Sequence, residues 1–335
     1  MQNKSMKTGS RLTYPEFWSK KNIVSSVLIA FSWIYQLLGW LRKLLVKPIK
    51  LPSFVICIGN VSVGGTGKTQ LVAWLAKRLR FNNCNFLIVT KGYNSNLRGA
   101  RLVNQSDSSS DVGDESKLLS EYGQVLAATS IKYALPIIKN LNPDVVIFDD
   151  GMQNPGFFKD LTIVVIDAIR NIGNGRIFPS GPLRERVSSA ISKSDIITMV
   201  GNELCQNFSL IENITSSGKP FFKSKIQLVS NIDTSKNYYA FTAIGDPDRF
   251  CRLLSGNGIN VIATKTFPDH HNYSIEEINI MVEEAARKNC FLITTKKDYV
   301  KISDHTKIVC AEVALNFDKE EELFQLIYEK IKTHS

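Results

Sequence analysis

Residues 62–69 read Ser-Val-Gly-Gly-Thr-Gly-Lys-Thr, between an apolar, β-branched run at 51–58 and a stretch of helical periodicity at 69–79. Strand, glycine-rich turn and helix in that order form the setting a phosphate loop requires. Small residues let backbone N–H groups close around phosphate oxygens, and the helix N-terminus adds its positive dipole end. Ser62, Val63, Gly64, Gly65, Thr66, Gly67, Lys68 and Thr69 are therefore the candidate nucleotide-binding residues. Lys68 would reach the β- and γ-phosphates of ATP, and the Thr69 hydroxyl would hold Mg²⁺. Ser62 stands where the usual pattern has its first glycine. Downstream, the apolar run 144–148 ends on Asp149 and Asp150, a strand-end carboxylate pair suited to act on Mg²⁺ directly or through water.

The rest of the chain organises around that unit. Residues 86–90, 161–167 and 196–200 read as further buried strands alternating with helical stretches, which implies parallel βαβ units. The polar, Ser/Asp-rich segment 105–113 reads as a mobile surface loop. Two extended segments, 221–229 and 238–244, flank a polar turn and suggest a hairpin between domains. Strand-like pieces at 259–263, 291–295 and 307–310 form a second, smaller series. The expected fold is a P-loop NTPase-like α/β/α sandwich with a smaller α/β domain joined by a β-hairpin linker, plus an N-terminal membrane-associated helix. The expected boundaries are 1–50 for the helical segment, 51–218 for the P-loop domain, 219–244 for the linker and 245–335 for the smaller domain.

Residues 22–41 carry no charge and are bracketed by Lys20, Lys21, Arg42 and Lys43. The run just reaches spanning length, but Ser25, Ser26, Ser32 and Gln36 dilute it. The favoured reading is a helix embedded in one leaflet with basic flanks on acidic headgroups. A true span and a helix packed on the protein's own core are the alternatives.

The 335 residues are 44% hydrophobic and 21% charged, which excludes bulk disorder and multi-pass membrane architecture. The net charge of +10 favours anionic partners. No helix-turn-helix, finger or RNA-binding aromatic signature points to nucleic acid. The six cysteines are scattered without a CxxC pair, as in a reduced, cytosolic protein.

The chain resembles the tetraacyldisaccharide 4'-kinases, the lipid A 4'-kinases of Gram-negative bacteria. The resemblance rests on seven segments in the family's order. They are the phosphate loop from Gly59 to Thr69, Thr90-Lys91-Gly92-Tyr93, Gly113-Asp114-Glu115, Asp149-Asp150-Gly151-Met152-Gln153, Gly181-Pro182-Leu183-Arg184-Glu185, Phe267-Pro268-Asp269-His270-His271 and Thr294-Thr295-Lys296-Lys297-Asp298. Departures are Gln70 and Ser116, where proline is usual, and Asn154, where histidine is common. The resemblance implies transfer of the γ-phosphate of ATP to the 4'-hydroxyl of a tetraacyldisaccharide 1-phosphate, giving lipid IVA. It implies Asp114 as the base that accepts the hydroxyl proton, with His270 from the smaller domain as its partner. Lys68 and Arg184 would absorb charge. Thr69, Asp149 and Glu185 are favoured near the metal, with Glu115 and Asp150 as further candidates. The implied setting is the cytoplasmic face of the inner membrane, where the lipid substrate lies.

Two other readings compete. Thr295-Lys296-Lys297-Asp298 also fits the [Asn/Thr]-Lys-x-Asp form of guanine recognition, which would make the chain a membrane-associated GTPase. A non-catalytic nucleotide binder exploiting the positive charge is the second.

Overall fold

The computed structural model describes residues 15–202, 205, 207–302 and 304–334; the first 14 residues of the expected helical segment lie outside them. The chain divides into two compact units. One spans Glu16–Val229 and Val313–Ser335, the other Ser230–Glu312.

The larger unit is built on a sheet of β1 (Phe54–Asn60), β2 (Phe86–Thr90), β3 (Ala100–Leu102), β4 (Val125–Ala128), β5 (Val145–Asp149), β6 (Leu161–Asp167), β7 (Ile196–Val200) and β8 (Phe221–Leu228). The smaller unit carries β9 (Asn237–Thr242), β10 (Asn260–Thr266), β11 (Phe291–Thr295) and β12 (Ile308–Ala311). The chain then returns to the larger unit with β13 (Val313–Phe317). The large sheet runs β13-β8-β7-β6-β1-β5-β2-β4-β3 and the small one β10-β9-β11-β12. Strands β1, β5, β6 and β7 are buried along their whole length. Such continuous apolar runs belong to a parallel sheet covered on both faces, and β1 pairs in parallel with both β5 and β6. The loops after β1, β5 and β6 therefore emerge together at the carboxyl edge, where open α/β sheets place their ligands.

The expected hairpin does not form. β8 pairs in parallel with β7 and antiparallel with β13, while β9 pairs in parallel with β10 and β11. Both segments are extended, but the polar stretch between them lacks a tight two-residue turn that would fold one onto the other. Nor does the smaller unit reach the C-terminus. The helix Glu320–Lys332 buries Leu323, Phe324, Ile327 and Ile331 in the same core as Leu71, Leu75 and Leu79 of the phosphate-loop helix. Glu320 accepts a hydrogen bond from the Trp74 indole (2.9 Å).

The segment expected as a mobile loop carries a capped helical turn. The buried Asp107 carboxylate accepts from Asn104 N (2.8 Å) and pairs with Arg101 (2.5 Å), and Ser108 caps the short helix Ser109–Val112. Polar composition here reflects capping rather than disorder.

The N-terminal run forms two helices, Ile23–Val27 and Ile29–Leu45. Their polarity is inverted. Ser25 and Ser32 are buried, while Trp33 (69%), Leu38 (61%) and Leu45 (82%) are exposed. Ser32 Oγ donates to Ile177 O (2.7 Å), the Ser180 hydroxyl donates to Ser25 O, and Arg176 reaches Ser25 Oγ (2.9 Å). The serines that dilute the hydrophobic run are thus what docks it. No helix among the described residues is long and apolar enough to cross a membrane.

Candidate active site

The phosphate loop is held from within. Asn60, the last residue of β1 and fully buried, donates through Nδ2 to Ser62 O (2.5 Å) and Thr66 Oγ1 (3.2 Å). The helix Lys68–Phe81 starts after Gly67, whose φ of 92° suits glycine and whose added Cβ would lie 3.0 Å from Val200. The segment Gly181–Glu185 is laced to the loop from outside. Val63 N donates to Pro182 O (2.8 Å), and Arg184 N donates to Val61 O (2.7 Å). Asn60 is a structural member of the site that the motif alone did not single out; its signal is an amide at the strand's last position.

The two strand-end aspartates occupy opposite environments. Asp150, in the left-handed region at φ 59°, faces three cations. Arg184 Nη1 lies 2.5 Å from its Oδ1, Lys68 Nζ 3.9 Å from the same oxygen, and Lys91 Nζ 3.6 Å from Oδ2. Burial works to raise its pKa, but Lys68, Arg184 and Lys91 outweigh it and hold the carboxyl well below the usual range. Asp149 accepts only from Thr69 Oγ1 (3.3 Å), and its buried Oδ1 has no hydrogen-bond partner among the described residues. Burial, with Glu115 adding to it against Lys68, pushes the Asp149 carboxyl up to about 7. Burial also lowers the Lys68 ammonium, with Asp150 working against it.

The Asp114 segment joins this cluster through two close glycines. Asp114 opens the helix Asp114–Leu119 and is buried. A Cβ on Gly113 (φ 92°) would fall 2.9 Å from Tyr93 O and 3.0 Å from the Gly92 carbonyl carbon. The Lys-Gly-Tyr and Gly-Asp-Glu segments therefore pack backbone to backbone. Ser116, which replaces the family's proline, shares a 2.6 Å hydrogen bond with Thr90. Glu115 sits close enough to act electrostatically on both Asp149 and Lys68.

Glu185 is placed differently from expectation. Among the described residues its oxygens take Lys193, Ser189 Oγ (3.1 Å) and Gln153 Nε2 (3.3 Å), and neither Thr69 nor Asp149. Burial works to raise this carboxyl, but Lys193 outweighs it and holds it below the usual range. A Lys193 partner eight residues on, across the helix Val187–Lys193, is what draws it away. Gln153 bridges the segments, donating also to Asn60 O (3.0 Å) and accepting from Arg184 (3.3 Å).

Thr69 and Asp149 suit Mg²⁺. A buried carboxylate oxygen without a partner, beside a hydroxyl, offers hard oxygen ligands, and Mg²⁺ is ordinarily held by one or two such groups plus substrate phosphates. Among the described residues no group of three His, Cys, Asp or Glu is arranged to hold a metal, so the nucleotide would have to complete the shell.

His270 lies in the smaller unit, at φ 62°, with its N–H donating to Ala243 O (3.2 Å). The neighbouring Asp298 is fully buried. It accepts from Thr242 Oγ1 (2.7 Å), Ala243 N (3.0 Å) and Thr295 Oγ1 (2.9 Å), and pairs with Lys301 (3.0 Å). A carboxylate with no exposed surface is out of reach of a guanine edge, which removes the observation behind the GTPase reading.

Residues 24–332 match the family described as tetraacyldisaccharide-1-P 4'-kinase. The chain belongs to that family. The tetraacyldisaccharide 4'-kinase of Rickettsia bellii is 45% identical over 321 residues, covering 96% of this chain and 99% of that protein. The corresponding protein of Rickettsia canadensis is 45% identical over 324 residues, covering 96% and 98%. Among solved structures, LpxK from Aquifex aeolicus, crystallised in complex with ATP, superposes with a TM-score of 0.75 at 27% identity, over 92% of this chain and all of that one.

Proposed function

We propose that the chain is an ATP-dependent lipid kinase that moves the γ-phosphate of ATP to the 4'-hydroxyl of tetraacyldisaccharide 1-phosphate, giving lipid IVA in lipid A biosynthesis. The observation that carries this reading is the gathering of Lys68, Thr69, Asp149, Asp150, Lys91 and Arg184 at the mouth of a phosphate loop, in a chain that matches the kinase family over nearly its whole length. Phosphoryl transfer is mostly positioning and charge stabilisation. Lys68 and Arg184 neutralise charge on the transferred group, and the loop amides and Thr66–Thr69 helix start bind the phosphates. Thr69 and Asp149 would hold Mg²⁺, which would supply further neutralisation of phosphate charge. Asp114 accepts the proton of the 4'-hydroxyl, with Glu115 beside it, and the family resemblance supports His270 as a second catalytic group. Glu185 acts by orienting Gln153 and, through it, Arg184.

The test uses the full chain in detergent micelles with Mg²⁺, γ-labelled ATP and tetraacyldisaccharide 1-phosphate, the lipids being separated by chromatography. Wild type is expected to label the lipid, and Asp114→Ala and His270→Ala to lower the rate about 10²-fold or more. Nucleotide binding without lipid labelling would sink the kinase reading in favour of a non-catalytic binder.

The inverted helix supports a place on the cytoplasmic face of the inner membrane of a Gram-negative cell. Its serines face the protein and its tryptophans and leucines face out, the reverse of a helix that meets water. Lys20, Lys21, Arg42 and Lys43 then meet acidic headgroups, and the positive charge suits the substrate's 1-phosphate rather than nucleic acid. Trp33→Glu combined with Leu37→Glu is expected to abolish co-sedimentation with vesicles of acidic and zwitterionic phospholipid while leaving ATP binding intact. Unchanged pelleting of that variant would remove the helix as the membrane contact.

A further inference from the structure

The guanine-like segment is left without a task once Asp298 is found buried, and its neighbour Lys297 offers one. Lys297 Nζ lies 3.4 Å from His270 Nε2 and 3.4 Å from Asp269 Oδ1. An ammonium has three donors and no acceptor. A hydrogen bond between these two nitrogens therefore requires Nε2 to be the accepting nitrogen of a neutral ring, which puts the ring's proton on Nδ1. Asp269 favours the opposite arrangement, since its Oδ2 lies 3.8 Å from Nε2 and would attract a proton there. Lys297 binds that same carboxylate and stands between the two outcomes.

The position of Lys297 is itself fixed. It follows Lys296 in the four-residue helix Lys296–Tyr299, which Thr295 caps by accepting from Asp298 N (3.2 Å). The side chains of Asp298 and Lys301 are 0% and 1% exposed, and they tie this helix to the His270 segment from behind. Asp298 accepts from Ala243 N, whose own carbonyl receives the His270 N–H, and Lys301 Nζ donates to His271 O (3.1 Å). Helix and histidine are thus braced against one another by buried, charge-assisted hydrogen bonds, the strong kind.

We propose that Lys297 is a positioning residue that selects the Nδ1–H tautomer of His270, making Nδ1–H the ring's donor. The proposal deepens the role given to His270 above and rests on it for its catalytic consequence, though not for the tautomer. A base works best when its partner's proton is already on the nitrogen that faces it, as the orienting groups of metal-bound and catalytic histidines illustrate.

The experiment is long-range ¹H–¹⁵N correlation on the full chain labelled with ¹⁵N-histidine, in detergent micelles at about pH 8, above the ordinary imidazole range. The chain has only four histidines, and His270→Asn, which tolerates the positive φ, identifies the ring by the signal it removes. Wild type is expected to carry the His270 proton on Nδ1. Lys297→Met is expected to move it to Nε2 or to a mixture, and Lys297→Arg, which can still donate to Nε2, to keep it on Nδ1. The remaining histidine signals report whether each variant stays folded. In transfer assays Lys297→Met is expected to lower kcat about tenfold or more with KM for ATP within about twofold. A wild-type ring protonated on Nε2 overturns the proposal without any variant, and so does an unchanged tautomer in Lys297→Met. Full activity of His270→Asn would instead overturn the catalytic reading of His270 and leave the tautomer assignment standing.

Discussion

Asp149→Asn is expected to make the ligand-free protein more stable at about pH 8 and to abolish phosphoryl transfer. The two effects share one cause. Asp149 is buried, its Oδ1 has no hydrogen-bond partner among the described residues, and burial with the nearby Glu115 charge pushes its carboxyl up to about 7. Its folded-state pKa thus stands above the ordinary value of about 3.9. The native state then binds the more protons between about pH 4 and 7, so stability falls as pH rises through that window and levels off above it. Asparagine removes the uncompensated charge while keeping the carbonyl toward Thr69. The melting temperature should rise by roughly 5 °C or more at about pH 8, a degree or so of change being negligible for a chain of this size. The gain should shrink toward zero as the pH is lowered to about 4. The rate should fall about 10³-fold, because an amide is a poor substitute for a carboxylate facing Mg²⁺. A variant that melts below wild type at about pH 8 would show that Asp149 is stabilised in the free protein by interactions other than these. Strain held at a reaction centre in this way is a familiar trade of stability for activity.

Much of this site could be read from the chain. The phosphate loop, its strand and its helix lie where the residue pattern places them, because a Gly-rich turn ending in Lys-Thr between a β-branched run and a helical run leaves few other arrangements. The burial of the strands followed from their continuous apolar runs, though their order in the sheet did not. Partners distant in sequence were not legible. Nothing in residues 221–228 announces that they will meet residues 313–317 rather than 238–244, since extended propensity is blind to which strand lies alongside. Ser25 and Ser32 read as dilution of a hydrophobic run, because their partners lie about 150 residues away: Ile177 O accepts from Ser32, while Arg176 and the Ser180 hydroxyl donate to Ser25. The Asp-Asp pair marked the right place without dividing the labour. Adjacent residues at a strand end point to opposite sides, and only the fold shows that one side holds three cations and the other a lone hydroxyl.

That division gives Asp150→Asn the opposite sign from its neighbour. Asp150 offsets Lys68, Lys91 and Arg184 at once, and these cations hold its carboxyl well below the usual range despite burial. A depressed folded-state pKa contributes stability that is present above the ordinary carboxylate range and is lost as pH falls through it. Asparagine tolerates the φ of 59°, so the substitution removes charge without straining the backbone. Three cations would then repel one another with only Asp149 and Glu115 left to offset Lys68. The ligand-free protein should melt several degrees lower at neutral pH, at about 2–4 °C per kcal/mol lost. Added ATP should recover most of that loss, because the triphosphate supplies the missing negative charge to the same three side chains. Binding should accordingly tighten several-fold at low salt, and less so at high salt as screening grows. The rate should nevertheless fall about 10²-fold. Cations released from Asp150 bind the phosphates more strongly before the reaction begins, and binding gained equally in ground and transition states does nothing for kcat. Loss of the bond to Asp150 also frees the Arg184 guanidinium, which Asp150 and Gln153 hold between them and which we propose neutralises the transferred group. Calorimetric binding of ATP to Asp150→Asn beside wild type separates these terms. Weaker rather than tighter binding would mean that Asp150 serves the nucleotide by holding the cations in place, and not by competing with it for them.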